Sequence, residues 1–324
     1  MRSYTGGLWT FGRIIDRYAT NGYGPELSTL DTIALAGESG QLSGLDLNYP
    51  FDPDVSVADV AKAMAAHNLD TVCVTPVIYD RGFRSGSFTA ADADTRRRAI
   101  ELAHESVEVA RELGAGYVKF WPGQDGYDYP FQVNYGELRA HAVEAMRDVT
   151  GNFPDVQFGI EYKLKEPRNR LFWSTAAATL LAIEDTGADN LGVVVDFGHS
   201  LFAKENPAEA LTLVHGRGRL VDIELDDNYR EWDDDLTVGA LHLVETLEFL
   251  HVALQLGWDS AFKLDLFPYR EAAGDAVTES VETLKRLEAI AAALPMDELR
   301  AAQDRHDAMA ATRIVRTALL ANPQ

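Results

Sequence analysis

Short apolar runs alternate along this chain with longer segments in which hydrophobic residues recur every three or four positions. Residues 4–11, 42–49, 71–78, 117–121, 156–162, 191–197, 220–225 and 262–267 read as strands. The amphipathic stretches 27–39, 56–68, 91–113, 136–149, 175–185, 207–214, 241–256 and 276–293 read as the helices between them. Strict alternation of strand and helix predicts βαβ units and a parallel sheet. Eight such units suit a (β/α)8 barrel better than an open doubly wound sheet. The first strand is not followed by a Gly-x-Gly-x-x-Gly turn, which removes the main support for a dinucleotide fold. The barrel is expected to occupy residues 1–294. An alanine-rich C-terminal helical extension, residues 295–324, follows it.

Composition narrows the partners. With 29 basic and 51 acidic residues the formal charge is −22, which disfavours nucleic acid and anionic membranes, since both require a basic surface. No run of about 18 apolar residues is present, so no membrane span is expected. The N-terminus lacks a signal-peptide core, and a soluble cytoplasmic protein is the expectation. The single cysteine, Cys73, lies in the apolar run TVCVTPVIY and reads as core packing.

In a barrel of this type the chemistry gathers at the C-terminal ends of the strands. Side chains two residues apart share a face, so the inward residues can be chosen by parity. The fifth strand, FGIEYKLKEP, turns Gly159, Glu161 and Lys163 inward; the sixth, LGVVVDFGH, turns Asp196 inward with His199 in the loop beyond. The seventh, LVDIELDDN, points Asp222, Glu224 and Asp226 inward, and the eighth, AFKLDLFP, points Lys263 and Asp265 inward. Glu161, Asp196, Glu224 and Asp265 thus end four consecutive strands. Converging buried carboxylates need a counter-charge. A hard divalent cation such as magnesium or manganese supplies one. Ion pairs with Lys163, Lys263 or Arg168 are the alternative.

The segments EYKLKEP and DDDLTVG, with the strand-end acids, resemble the xylose-isomerase-like TIM barrels, a family of sugar isomerases and epimerases. Their motifs look most like the bacterial L-rhamnose isomerase type. The resemblance implies one metal on Glu161, Asp196, Glu224 and Asp265, and a second on His199, Asp233 and Asp235, with Asp234 as spacer. It implies that Lys163 binds a terminal substrate oxygen, an ion pair with Glu166 being the bland alternative. FWPGQDGYDYP resembles the family's Trp-Gly-rich segment; Trp121 would form an apolar wall, and Gln124 and Asp125 would reach sugar hydroxyls. Trp9 and Phe11 would close the opposite side. Residues 79–88 form a candidate lid whose Arg81 and Arg84 read as solvated. The chain departs from the resemblance at Glu224, where the family commonly has histidine.

The resulting expectation is a divalent-metal-dependent aldose–ketose isomerase of a free monosaccharide. Its cofactor would be Mn2+, with Mg2+ or Co2+ as alternatives, and its state a homo-oligomer, dimer or tetramer. The catalytic set would be Lys163, His199, Asp233 and Asp235. A sugar 3-epimerase ranks second, because Asp265 is a methylene shorter than the glutamate that chemistry needs. A lyase or dehydratase on the same metal site is a further alternative. A non-catalytic partner subunit follows if Lys263 neutralises Glu224. Layer counting instead pairs Lys263 with Asp222, leaving Glu224 free.

Overall fold

The computed structural model describes residues 2–321. Strand β1 is Tyr4–Gly7, α1 is Thr29–Glu38, β2 is Gly44–Tyr49, α2 is Val57–Ala66 and β3 is Asp70–Pro76. Helix α3 is Ala93–Leu113, β4 is Tyr117–Phe120, α4 is Tyr135–Asn152, β5 is Phe158–Glu161 and α5 is Ala176–Thr186. Strand β6 is Leu191–Asp196, followed by α6 (Phe197–Phe202) and α7 (Pro207–Gly216). Strand β7 is Leu220–Leu225, α8 is Leu243–Gln255, β8 is Phe262–Leu264 and α9 is Ala273–Ala293.

All eight strands pair in parallel, in the order β1-β8-β7-β6-β5-β4-β3-β2, and β1 closes the barrel by pairing with both β2 and β8. This is a (β/α)8 TIM barrel. Outward residues such as Val193, Val195, Ile160 and Ile223 are fully buried under the helices and form the continuous apolar core. Helices α1 and α2 begin one residue after Ser28 and Ser56, whose hydroxyls and partner acids Asp31 and Asp59 complete capping boxes.

Two local departures from the periodic pattern shape the barrel mouth. The run 4–11 is a strand only to Gly7; Leu8–Phe11 is a 3-10 turn closed by Gly12 N donating to Trp9 O. A Cβ on Gly7 would collide with the Trp9 indole, so glycine there lets the ring fold back over the barrel. His199 lies on the short helix α6 rather than in a loop. Asp196 caps that helix by accepting from His199 N at 2.6 Å.

Beyond β4 and β5, Gly126–Tyr127 pairs antiparallel with Asn169–Leu171, which pairs with Lys165–Glu166, making a small sheet at the rim. The C-terminal segment forms α10 (Met296–Asp304) and α11 (Ala308–Leu320), packed outside the barrel against α9. Among the described residues, no helix is long and apolar enough to cross a membrane.

Candidate functional site

The lower layer of the barrel interior is a closed network of charges. Lys119 of β4 is 1% exposed, and its Nζ lies 2.8 Å from Asp46, 2.6 Å from Glu161 Oε2 and 2.9 Å from Glu224 Oε1. Beside it, Lys263 Nζ is 2.6 Å from Glu224 Oε1, 3.2 Å from Asp222 and 2.7 Å from the Tyr117 hydroxyl. The expected pairing of Lys263 with Asp222 alone is therefore corrected: its shortest ion pair is with Glu224. Parallel register accounts for this, since Glu224 stands directly opposite Lys263 across β7 and β8. Burial disfavours both ammonium charges, but the surrounding acids raise both lysines well above their usual range. Burial would likewise raise Asp46, yet Lys119 and Lys263 outweigh it and bring that carboxyl down to about 2.

Above this layer lie the strand-end residues. Glu161, Asp196, Glu224 and Asp265 are all buried. Ligand-type atoms of Asp196, Glu224 and Asp265 lie within 4.8 Å of one another, as do those of Glu161, His199 and Asp265. His199 Nδ1 approaches Glu161 Oε1 at 3.2 Å without the alignment of a hydrogen bond, while its Nε2 pairs with Asp233 Oδ2 at 3.0 Å. Asp233 also holds Lys163 Nζ at 2.8 Å. Lys163 is 2.7 Å from Glu166 as well, so the Glu166 pair, set aside in the sequence reading, is present.

Of the second expected trio, His199 meets Asp233 directly; ligand-type atoms of His199 also lie within 4.8 Å of Glu161 and Asp265, and those of Asp233 and Asp235 lie within 4.8 Å of Asp226, whose Oδ1 accepts from Gly198 N at 2.7 Å. Asp234 turns away, accepting from Tyr229 N at 2.9 Å, as a spacer should.

Whether these residues suit a divalent cation can be tested on their own bonding. Eight buried acids around the barrel axis (Asp46, Glu161, Asp196, Asp222, Glu224, Asp226, Asp233 and Asp265) face only three lysines and His199. Glu224 Oε2, Asp196 Oδ2 and Asp226 Oδ2 are buried without any hydrogen-bond donor. Such orphaned acceptors are costly unless a cation reaches them. Burial, reinforced by neighbouring acids, raises Asp196 to about 7 and pushes Asp226, Asp235 and Asp265 well above the carboxylate range. Burial opposes charge on His199, but Asp196 and Asp233 raise it to about 10; Asp233, despite burial, is held well below its usual value by Lys163 and His199. The donor set is oxygen-rich with one imidazole, and it fits a hard or borderline divalent ion.

A cavity of about 630 Å³ opens over this floor, walled by Trp9, Trp121, Gln124, Lys163 and Phe267. Trp9 Nε1 donates to Asp265 Oδ1 at 2.5 Å, and Lys163 lies 5.2 Å from the Trp121 ring centre. Other residues named from the sequence lie outside the cavity lining. Asp125 is fully buried and accepts from the backbone and hydroxyl groups of Ser87 and Thr89, so it clips loops together rather than meeting solvent. Phe11 is buried in the core. Arg81 and Arg84 are exposed and do not line the cavity. Arg168 pairs with Asp128 rather than with a strand-end acid.

Lys119 and Asp46 join the site without having been expected there, and Asp226, expected only to point inward, lies among the candidate ligands. A lysine or aspartate at an inward position of an apolar strand, as in YVKF and GLDLNY, was the available signal.

A sequence model of the xylose isomerase-like TIM barrel family matches residues 30–287. The chain is 25% identical over 270 residues to a xylose isomerase of Thermus thermophilus, covering 76% of this chain and 69% of that protein. A xylose isomerase of Thermus caldophilus is 24% identical over 259 residues, with 74% and 66% covered. In fold the chain is similar to an L-ribulose 3-epimerase, at TM-score 0.70, 15% identity and 95% and 99% coverage. It is also similar to a D-tagatose 3-epimerase-like protein, at TM-score 0.69, 17% identity and 89% and 98% coverage. The match across most of the barrel places this chain in the xylose isomerase-like TIM barrel family.

Proposed function

We propose that the protein is a divalent-metal-dependent aldose–ketose isomerase of a free monosaccharide. The observation that carries the reading is the convergence of Glu161, Asp196, His199, Glu224 and Asp265 beneath one tryptophan-walled cavity. These five residues would hold a first ion, and Asp226, Asp233 and Asp235 surround the place for a second. Bound there, Mn2+ (or Mg2+ or Co2+) supplies Lewis acidity to adjacent sugar oxygens.

The chain's own groups have separate tasks. Trp9 and Trp121 offer flat apolar faces to the sugar's C–H surfaces and exclude water. Lys163, fixed by Asp233 and Glu166, directs its remaining hydrogen at the terminal oxygen and stabilises charge developing there. In the reaction the C2–H bond breaks as C1–H forms, and the proton lost from O2 is regained at O1. The hydrogen-bonded series Lys163–Asp233–His199 is the polar path for that proton. A homo-oligomer acting in the cytoplasm belongs to the same proposal.

One observation favours a rival. The Lys263–Glu224 contact satisfies part of the acid cluster from within, as a non-catalytic partner subunit would require. Glu224 Oε2 nevertheless stays without a donor, which supports the metal reading. A 3-epimerase ranks lower because Asp265 is short and one of its oxygens is engaged by Trp9. The test is a panel of aldoses and ketoses incubated with the protein and Mn2+ in heavy water. Interconversion with little deuterium in the product is expected; stoichiometric deuterium at C3 would favour epimerisation, and no turnover of any sugar would sink the isomerase.

A further inference from the structure

Lys119 has a position that the isomerase reading does not use. It stands opposite Gly159 in the β4–β5 register, two residues below Glu161, so its stem climbs one layer to reach the carboxylates. Gly159 has no room for a side chain there: a Cβ would come within 2.8 Å of Val194 and 3.4 Å of the Tyr117 ring. The ammonium donates to Glu224 Oε1 at 2.9 Å and is ion-paired with Asp46 at 2.8 Å and Glu161 Oε2 at 2.6 Å, so three carboxylates occupy it.

Its effect falls on the two glutamates. Lys119 holds Glu161 by Oε2, while Glu161 Oε1 faces His199; on Glu224, Lys119 and Lys263 share Oε1 and Oε2 has no donor. The Trp9 ring centre lies 4.7 Å from Nζ, and both residues border the floor of the cavity.

We propose that Lys119 is a tethered counter-cation that shares Glu161 and Glu224 with the metal, keeping the metal-free barrel folded and loosening the metal's hold. This rests on the metal reading above. Two cations neutralising the same carboxylates oppose each other, and linkage makes the opposition reciprocal. Lys119 thus acts as a positioning residue, through the carboxylates and not on the sugar.

The test compares full-length wild type with Lys119→Met, both stripped by chelator and then titrated with Mn2+. Melting is followed by circular dichroism and binding by calorimetry. Stripped wild type should melt cooperatively, and stripped Lys119→Met should melt about 4–8 °C lower. Added Mn2+ should raise the variant's Tm more than the wild type's, and should bind the variant roughly tenfold or more tightly. A Lys119→Met protein that folds only with Mn2+ supports the proposal more strongly. Equal or weaker Mn2+ binding by the variant overturns it, as does a variant that stays unfolded with Mn2+ present. Wild type that neither binds nor responds to Mn2+ would overturn the metal reading and this inference together; the variant comparison alone separates the two.

Discussion

Replacing Asp125 tests how the cavity wall is held. The carboxylate accepts from Ser87 N at 2.7 Å, Ser87 Oγ at 2.7 Å, Thr89 N at 2.9 Å and Thr89 Oγ1 at 2.6 Å, and none of it reaches solvent. In Asp125→Ala the two hydroxyls can rotate to other acceptors, but the two backbone N–H groups cannot. Each buried unpaired donor costs about 1–3 kcal/mol. Relief of the carboxylate's own burial offsets part of this, since burial raises its pKa in spite of four donors. A net loss of about 2–4 kcal/mol follows. With about 2.1 cal/mol/K of unfolding entropy per residue, that is a Tm decrease of about 3–6 °C for a chain of 324 residues. Scanning calorimetry checks it, and a decrease below about 2 °C would refute the clip. The pH dependence has a defined sign. A raised carboxyl keeps a proton in the native state that the unfolded chain has released. Its contribution to stability therefore falls as pH rises from about 4 through the folded value. Asp125→Asn should lack that slope.

Two further outcomes concern the barrel interior. Chelation should lower Tm and Mn2+ at a hundredfold excess over Kd should restore about 2.7 kcal/mol. Glu161→Gln and Asp265→Asn should abolish that response while Asp234→Asn, whose carboxylate only caps Tyr229 N, retains it; a Tm indifferent to chelator and Mn2+ in the wild type would contradict this. Lys263→Met should cost about 3–5 kcal/mol by removing the nearer of the two ammonium groups on Glu224 and the ion pair of Asp222, and adding Glu224→Met should recover part of the loss. Strictly additive losses in the double-mutant cycle would show that the pair is not coupled.

The barrel was legible because its signal is local and repeated: apolar runs bounded by turns, and helices of period 3.6 between them. Where one residue type broke the period, legibility failed. The run 4–11 is strand-like in composition apart from Gly6 and Gly7, and Gly7 with Trp9 redirects it into a turn. The strand-end acids were readable by parity, since inward and outward residues alternate strictly. Parity also marks Lys119 as inward, but not its role, because its three partners come from residues 46, 161 and 224, and nothing near YVKF announces them. Layer counting failed for Lys263 because closed barrels stagger their strands, so an equal count from the strand end is not an equal height. Asp125 looked like a sugar contact because it lies in a polar loop, but four donors from residues 87 and 89 turn it inward.

The small rim sheet has a consequence for how the pocket can change. Phe172 N donates to Asp125 O at 2.8 Å, and Gly126–Tyr127 pairs with the 165–171 hairpin, so the wall bearing Trp121, Gln124 and Glu166 is stapled into one piece. Another part of the lining, Arg13, Ile14 and Ile15, belongs to a loop braced mainly from within, by Asp16 to Tyr18, Ala19 and Tyr23 and by Arg13 to Glu26. Its aromatic contact is Tyr23 against Tyr269, 5.2 Å between ring centres. Half of the pocket thus behaves as a fixed jaw and half as a replaceable one. Substitutions or length changes in residues 13–28 can reshape the ligand's outline without disturbing the charged floor, and that loop is where selection for a different substrate would act first.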